Sequence, residues 1–349
     1  MQKKRPPRPL RQLPPALLAL IDIVLIAVCL NLFALFDHVI PRASQVAAYT
    51  VPSARPVATN PTAASNPVSE PGVPDPPPTD APALSPSAEG DFSDRFAGKF
   101  TDGEVIQTDT SYQSANLNIT LTKYQTTIGN YREVYFVEDI YIRNIECLRT
   151  VFAKDTFGKA ISEDVVSMSS RTNAVAAINS DYYGYGNAGI VIRNGTLYRR
   201  DFEPNEEVLI IFRDGTMRVY YSEAELDIDE AMASGAWQSF SFGPSLLDET
   251  GDIRAEGYER VNHDPRTLIG MVEPGHYLFI VIDGRQNGYS DGMTYAGCAN
   301  LCKELGCAVA YNLDGGRTSQ MTFLGAMVNH PYKDGRPTSD LICIADVDA

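Results

Sequence analysis

The first apolar block of the chain runs from Ala16 to Phe36, 21 residues in which Asp22 and Asn31 are the only strongly polar positions. At about 1.5 Å rise per residue, a helix of that length reaches across a bilayer core. Lys3, Lys4, Arg5, Arg8 and Arg11 precede the block, whereas only Arg42 and Arg55 follow nearby. The positive-inside rule then puts a basic tail, residues 1–15, in the cytoplasm, makes 16–37 a transmembrane anchor, and sends the rest outside. A cleaved signal peptide is the alternative. Its apolar part is usually shorter, about 7–15 residues, and ends at a small-x-small site, while here Asp37-His38 follow. The expected placement is a single-pass protein of the cell membrane whose C-terminal domain is extracellular.

Residues 38–95 then read as a linker. Twelve of the 23 prolines fall within 41–90, among Ala, Ser and Thr and a single aromatic, Tyr49. Proline at that density removes ladder donors, and the few large apolar groups cannot offset ordering entropy, so a disordered, partly polyproline-II stalk is expected.

Beyond the linker the pattern changes to short alternating runs. Leu117–Lys123 and part of Glu133–Ile142 alternate apolar and polar positions, as half-buried strands do. Ala174–Asn179 reads as a buried strand with polar residues at its end. Asn194-Gly195 within Ile190–Leu197 and Asp214-Gly215 within Val208–Tyr220 are hairpin signals. Thr267–Val272, His276–Asp283 and Cys307–Asn312 read as further strands, and Glu223–Ala233 as helical. The best helix is Thr294–Leu305, because Cys298, Leu301, Cys302 and Leu305 share a face and Gly306 can end it. The fold class expected for residues 96–349 is α+β: a single domain of mixed or antiparallel sheets with a few helices.

Charge and composition narrow the function. Residues 1–90 carry a net charge of +1, and residues 91–349 hold 22 basic against 38 acidic side chains. Such a surface repels phosphate backbones, so no nucleic-acid partner is expected. The second region also holds 24 of the 26 glycines, as a turn-rich strand domain requires. Its five cysteines are an odd number and no disulfide framework, although one or two bridges stay open; Cys298, Cys302 and Cys307 read as small core residues. None of the four histidines makes a His-x-x-x-His pair, and there is no Cys-x-x-Cys, P-loop or Gly-x-Ser-x-Gly elbow. No metal and no other cofactor is expected. A calcium site built from Asp stays open, without the Asp-rich 12-residue loop.

Polar clusters recur where predicted strands end, the place where a rigid sheet presents short functional loops. Asn179 and Asp181 close one strand, although on spacing alone an Asx turn is the simpler reading. Ser241-Phe242-Gly243-Pro244-Ser245 closes another. Arg266 opens a strand, and a guanidinium there matches phosphate geometry. Asp283 and Arg285 follow the apolar run Ile280–Ile282. The densest cluster is Asn312-Leu313-Asp314-Gly315-Gly316-Arg317-Thr318-Ser319, in which two glycines after an acid permit close backbone approach and expose amide N–H groups.

In chain order these segments resemble the phosphodiester glycosidase family, whose bacterial relatives are often labelled exopolysaccharide-biosynthesis proteins. The resemblance rests on Ile-Asn-x-x-Tyr at 178–182, Gly189 with Asn194-Gly195, Phe-Gly-Pro-Ser-Leu-Leu at 242–247 and Arg-Thr-x-x-Gly at 266–270. It continues through Asp-Gly-Arg at 283–285, Gly-Met at 292–293, Asn-Leu-Asp-Gly-Gly at 312–316 and Asn329. It covers roughly residues 100–347. Arg317-Thr318 stand where Gly-Ser is usual, and Ser180-Asp181 where small residues are common.

The resemblance implies cleavage of the anomeric C–O bond of a sugar-1-phosphodiester in a cell-envelope or exopolysaccharide glycan. A phosphate ester is a good leaving group, so the site chiefly needs a carboxylate at the sugar carbon or water and donors for phosphate. Asp314 and Asp283 are then expected as the carboxylates and Arg266 as the phosphate's cation, together the catalytic group. Gly315 and Gly316 would cradle phosphate oxygens. Asn179, Asn312 and Ser319 would orient sugar hydroxyls, with Asp181, Arg285, Arg317 and Thr318 completing substrate binding. The partners implied are a glycan or glycosyl-phosphodiester substrate and, through the N-terminal helix, the membrane. A non-catalytic wall-glycan-binding module and a phosphodiesterase that cuts P–O remain as alternatives.

Overall fold

Two antiparallel sheets face each other across the main hydrophobic core, in a computed structural model that describes residues 42–43, 90–202, 207–248, 250–254 and 262–347. The apolar run and nearly all of the Pro-rich segment lie outside the described residues. Among the described residues no helix is long and apolar enough to cross a membrane. Two residues of the linker as read from sequence, Arg42–Ala43, pair antiparallel with Gly158–Lys159. The folded part also starts before residue 96. Phe92 and Phe96 enter the main core, and Asp91 bridges to Asn144. Two aromatic side chains repay the ordering of a segment whose proline content has already fallen.

The larger sheet has seven strands in the order Val309–Asn312, Arg266–Glu273, His276–Ile282, Tyr131–Ile142, Leu117–Ile128, Ser111–Gln113 and Ile106–Thr108. The second has five: Ala326–Met327, Met321–Phe323, Ala176–Asn179, Asp340–Ile344 and Leu148–Phe152. Every pairing in both is antiparallel. Side-chain alternation explains why their inner strands read as continuous apolar runs, since both faces are covered. Ile269, Phe279 and Val281 point into the core between the sheets, while Leu268, Ile280 and Ile282 point outward onto the helix Tyr295–Glu304. Likewise Ile178 and Ile342 face the core, whereas Ala177, Leu341 and Cys343 pack beneath the helix Val165–Arg171.

The predicted helix at 294–305 is present, with Thr294 as N-cap accepting from the Gly297 N–H at 3.1 Å. The helix Val165–Arg171 had no such periodic signal; its seven residues give two turns, too few to display one. The predicted helix at 223–233 is a 3-10 turn, Glu223–Glu225, and a short helix, Ile228–Ala233. Both hairpins form. Asn194 and Gly195 both take positive φ between Val191–Arg193 and Thr196–Arg199, and Val208–Phe212 pairs with Met217–Tyr220 and with Ala236–Ser241. Cys147, Cys298, Cys302, Cys307 and Cys343 are free and buried.

Glu138 interrupts this apolar interior. It lies on the core-facing side of Tyr131–Ile142 between Phe136 and Ile140, fully buried, and neither carboxyl oxygen has a hydrogen-bond partner. Burial pushes its carboxyl well above the ordinary value of 4.5. The native state then keeps a proton that the unfolded chain releases, so this group costs stability as pH rises past the ordinary glutamate range. Glu138→Leu is expected to raise unfolding free energy at pH 7 by about 1–3 kcal/mol and to flatten its pH dependence above the ordinary glutamate range. Urea denaturation at pH 4.5 and pH 8 checks both, and an unchanged slope would count against the assignment.

Candidate functional site

Three neighbouring strands of the larger sheet bring the predicted acids to one end of it. Asp283 follows His276–Ile282 and Asp314 follows Val309–Asn312; the strand begun by Arg266 lies between, with Arg266 opposite Ile282 and Leu268 opposite Asn312. At about 4.8 Å per strand, the two acid-bearing strands are roughly 10 Å apart. Close backbone packing holds this end together. A Cβ on Gly315 would sit 2.8 Å from the Pro265 carbonyl oxygen, and one on Gly292 (φ +101°) 2.5 Å from the Asp264 carbonyl carbon. Only glycine permits either approach.

Asp283 is 1% exposed. Its Oδ1 accepts from Asn329 Nδ2 at 2.7 Å; its Oδ2 accepts from the Tyr289 hydroxyl and the His330 N–H, each at 2.9 Å. Burial pushes the carboxyl up, and the His330, Asn329 and Tyr289 donors oppose that shift. Asp314 lies nearer solvent at 8% exposed. Its Oδ2 meets Arg336 at 3.0 Å and its Oδ1 accepts from the Gly315 N–H at 2.8 Å. Burial again raises its carboxyl, opposed first by the Arg336 charge. Asn329 also donates to the Ser319 carbonyl, so the loop 315–319 is tied to Asp283 at one end and follows Asp314 at the other.

Several predicted ligand contacts are spent inside the protein. The Gly315 N–H is held by Asp314, and the Gly316 N–H donates to the Pro265 carbonyl at 3.0 Å, so neither amide is free to cradle phosphate. Asn179 is fully buried. Its Nδ2 donates to the Asp314 carbonyl at 2.7 Å, and its Oδ1 accepts from Thr267 Oγ1 at 2.8 Å and from the Gln320 N–H at 3.1 Å. Its amide therefore clamps the Asp314 loop and has no capacity left for a sugar hydroxyl. Asp181 turns inward, paired with Arg193 at 2.9 Å and accepting from the Ser241 N–H.

Arg266 also departs from its expected use. The guanidinium stacks 3.9 Å from the Tyr295 ring centroid, donates to the Met293 and Asn262 carbonyls and lies 3.5 Å from Asp264. Its side chain takes the outward, helix-bearing face, which the opposing Ile282 shares and onto which Thr267, its neighbour, does not turn. Arg317 donates to the Lys333 and Gly335 carbonyls and Thr318 to the Gly315 carbonyl, so both staple the loop.

Other nominated groups retain capacity. Asn312 donates to the Gly243 carbonyl, but its Oδ1 is buried without a partner, as are Ser319 Oγ, Ser180 Oγ and Arg336 Nε. Asn312, Ser319 and Arg336 lie in, adjoin or are bonded to the Asp314 loop, whereas Ser180 follows Asn179. Arg285, held at positive φ and bonded to Asp264 at 2.8 Å, is half exposed, and a Cβ on Gly316 would lie 3.2 Å from its Nη1.

The residues missed from sequence are the partners of the acids: Arg336, Tyr289 and His330. Arg336 sits in Lys333-Asp334-Gly335-Arg336-Pro337, which reads as an ordinary turn. Tyr182 and Tyr185 were also unassigned as a pair. Their rings stack at 4.5 Å with each about two-fifths exposed, and the Arg336 guanidinium lies 5.6 Å from the Tyr185 centroid. Among the described residues no group of three or more His, Cys, Asp or Glu side chains is placed to hold a metal ion.

Fold and site together define a sheet-rich domain with two buried carboxylates, Asp283 and Asp314, at one end of its larger sheet. The phosphodiester glycosidase family model matches residues 172–345, and this part of the chain belongs to that family. An uncharacterized SPbeta prophage-derived protein of Bacillus subtilis (strain 168), YomE, is 35% identical over 184 residues, 50% of this chain and 28% of that protein's length. The catalytic domain of zebrafish N-acetylglucosamine-1-phosphodiester alpha-N-acetylglucosaminidase, auto-inhibited by its pro-peptide, shares the fold. Its TM-score is 0.54 at 20% identity, covering 70% of this chain and 88% of that one. A hypothetical protein from Synechocystis matches with a TM-score of 0.52 at 12% identity, over 69% of this chain and 63% of that one.

Proposed function

We propose that the domain hydrolyses a sugar-1-phosphodiester at the anomeric C–O bond, in a cell-envelope or exopolysaccharide glycan near the membrane. The observation that carries this reading is Asp314: a buried, raised carboxyl beside an arginine, with unpartnered polar atoms of Asn312, Ser319 and Arg336 around its loop. Asp314 acts at the anomeric carbon, directly or through water. Asp283, saturated by three donors, orders the loop. The C1–O bond breaks with its electron pair going to phosphate oxygen, and water supplies the hydroxyl on the sugar. Arg336 and Arg285 replace Arg266 as the cations available to phosphate, because their side chains reach solvent at 33% and 44% exposure. Tyr182 and Tyr185 offer a ring face to the sugar or its aglycone. Residues 1–89, with their basic tail, apolar run and Pro-rich stalk, support an anchored, outward-facing placement.

The test is hydrolysis of a nucleotide sugar and simple sugar-1-phosphodiesters by the full chain in isotope-labelled water. The expected result is label in the released sugar. Label in phosphate would make the protein a phosphodiesterase, and saturable binding without product would make it a glycan-binding module. Because burial raises both acids, the acid limb of kcat/KM is expected above the ordinary aspartate range.

A further inference from the structure

On the other face of the larger sheet, a cleft of about 660 Å³ opens between the tip of the hairpin formed by Leu117–Ile128 and Tyr131–Ile142 and the helix Tyr295–Glu304. Its lining includes Glu133, Tyr135, Tyr131, His263, Asn300 and Glu304. Tyr135 and Glu133 share the strand face that turns towards the helix, whereas Asp283 continues the opposite alternation, that of Val281. The lining shares no residue with the acid site, so the cleft is a second site. We propose that it binds a small organic ammonium ion, such as the protonated amine of an amino sugar.

Three features of the cleft select that chemistry. Glu133 is 3% exposed, and its Oε2 is buried without a hydrogen-bond partner, so the cleft holds an acceptor that needs a donor. Burial pushes the Glu133 carboxyl up, against the charge of His263. Among the described residues the lining contains two glutamates and, besides His263, no basic side chain, a field that favours cations. The walls are aromatic, with the Tyr131 and His263 rings stacked at 3.7 Å and Tyr131 about half exposed. A ring face beside a carboxylate is the standard arrangement for gripping an ammonium carried on an apolar body.

The experiment is calorimetric titration of the full chain with glucosamine, N-acetylglucosamine and an oligomer of glucosamine. Glucosamine is expected to bind saturably and N-acetylglucosamine at least tenfold more weakly. Tighter binding of the oligomer assigns the amine to a polymer, and tighter binding of the monomer to a free sugar. Glu133→Gln is expected to weaken glucosamine at least tenfold. Glu304→Gln, at an exposed position on the helix, is expected to weaken it severalfold. Asp314→Asn, in the other site, is expected to leave it unchanged. The proposal is overturned if glucosamine does not bind, if N-acetylglucosamine binds equally, or if both glutamate variants bind as the parent does. None of these readouts depends on turnover, so the proposal can fail or stand independently of the hydrolytic function.

Discussion

Asp314→Asn is expected to lower kcat on a sugar-1-phosphodiester by about 10²- to 10⁴-fold, the range that a positioned carboxylate contributes. The replacement is nearly isosteric. Its amide oxygen can still accept from the Gly315 N–H, which the carboxylate now receives at 2.8 Å, so the loop should keep its shape. What is lost is the negative charge beside Arg336 and the capacity to take a proton or attack carbon. KM is expected to change much less than kcat, because the side chain's main interaction arises as the C1–O bond breaks. Arg336→Gln supplies the complementary result. Removing this cation should raise the Asp314 carboxyl further and move the acid limb of the pH profile upward, since the Arg336 charge opposes the shift caused by burial. Steady-state kinetics with parallel circular dichroism would decide; a folded Asp314→Asn protein with parental kcat would remove this residue from the reaction.

The largest effect on stability is expected at Arg193. This side chain is 1% exposed and is the shared cation of two buried acids, with Nε donating to Asp340 at 2.8 Å and Nη2 to Asp181 at 2.9 Å. It also donates to the Ile192 and Ser239 carbonyls and stacks 4.8 Å from the Phe240 ring centroid. Arg193→Met leaves both carboxylates buried without a counter-charge, at an expected cost of about 3–5 kcal/mol. For a domain of this size the melting temperature should fall by roughly 6–20 °C. Restoring neutrality with Asp181→Asn and Asp340→Asn in the same chain should recover much of the loss, because the cost comes from unpaired charge and not from missing volume. Recovery of nothing would mean that the arginine acts by packing alone.

The triad also predicts a direction in pH. Burial, and then the Asp181 charge, push the Asp340 carboxyl up against the pull of Arg193. An acid whose native pKa exceeds its unfolded value contributes stability at low pH that is lost as pH rises through the native value. Asp340→Asn should therefore flatten the decline in melting temperature above the ordinary aspartate range.

Strand-end acids were legible from sequence because a run such as Ile280-Val281-Ile282 can only be a buried element, and the first polar residue after it marks the sheet's end. The hairpin tips and the helix from Thr294 were legible for similar local reasons: paired left-handed residues at one, and a cap with an apolar stripe at the other. Arg266, Asn179 and Asp181 were nominated through the family resemblance, but their directions were not accessible. Whether a strand's first side chain turns to the helix or to the opposing sheet depends on which face each neighbour covers. Arg266 turned to Tyr295, and Asn179 spent its amide on the Asp314 loop.

The chain's own pattern determined the order of its parts: a basic tail, an apolar run, a Pro-rich stretch, and then a strand-rich acidic domain with functional loops after its buried strands. Those properties depend on neighbours only a few residues apart. Tertiary structure alone decided which charges meet. Asp314 is paired across 22 positions with Arg336 and Arg193 across 147 with Asp340. Such partners are chosen by the register of antiparallel strands and by the desolvation that drives buried charges together, and neither leaves a local mark in the sequence.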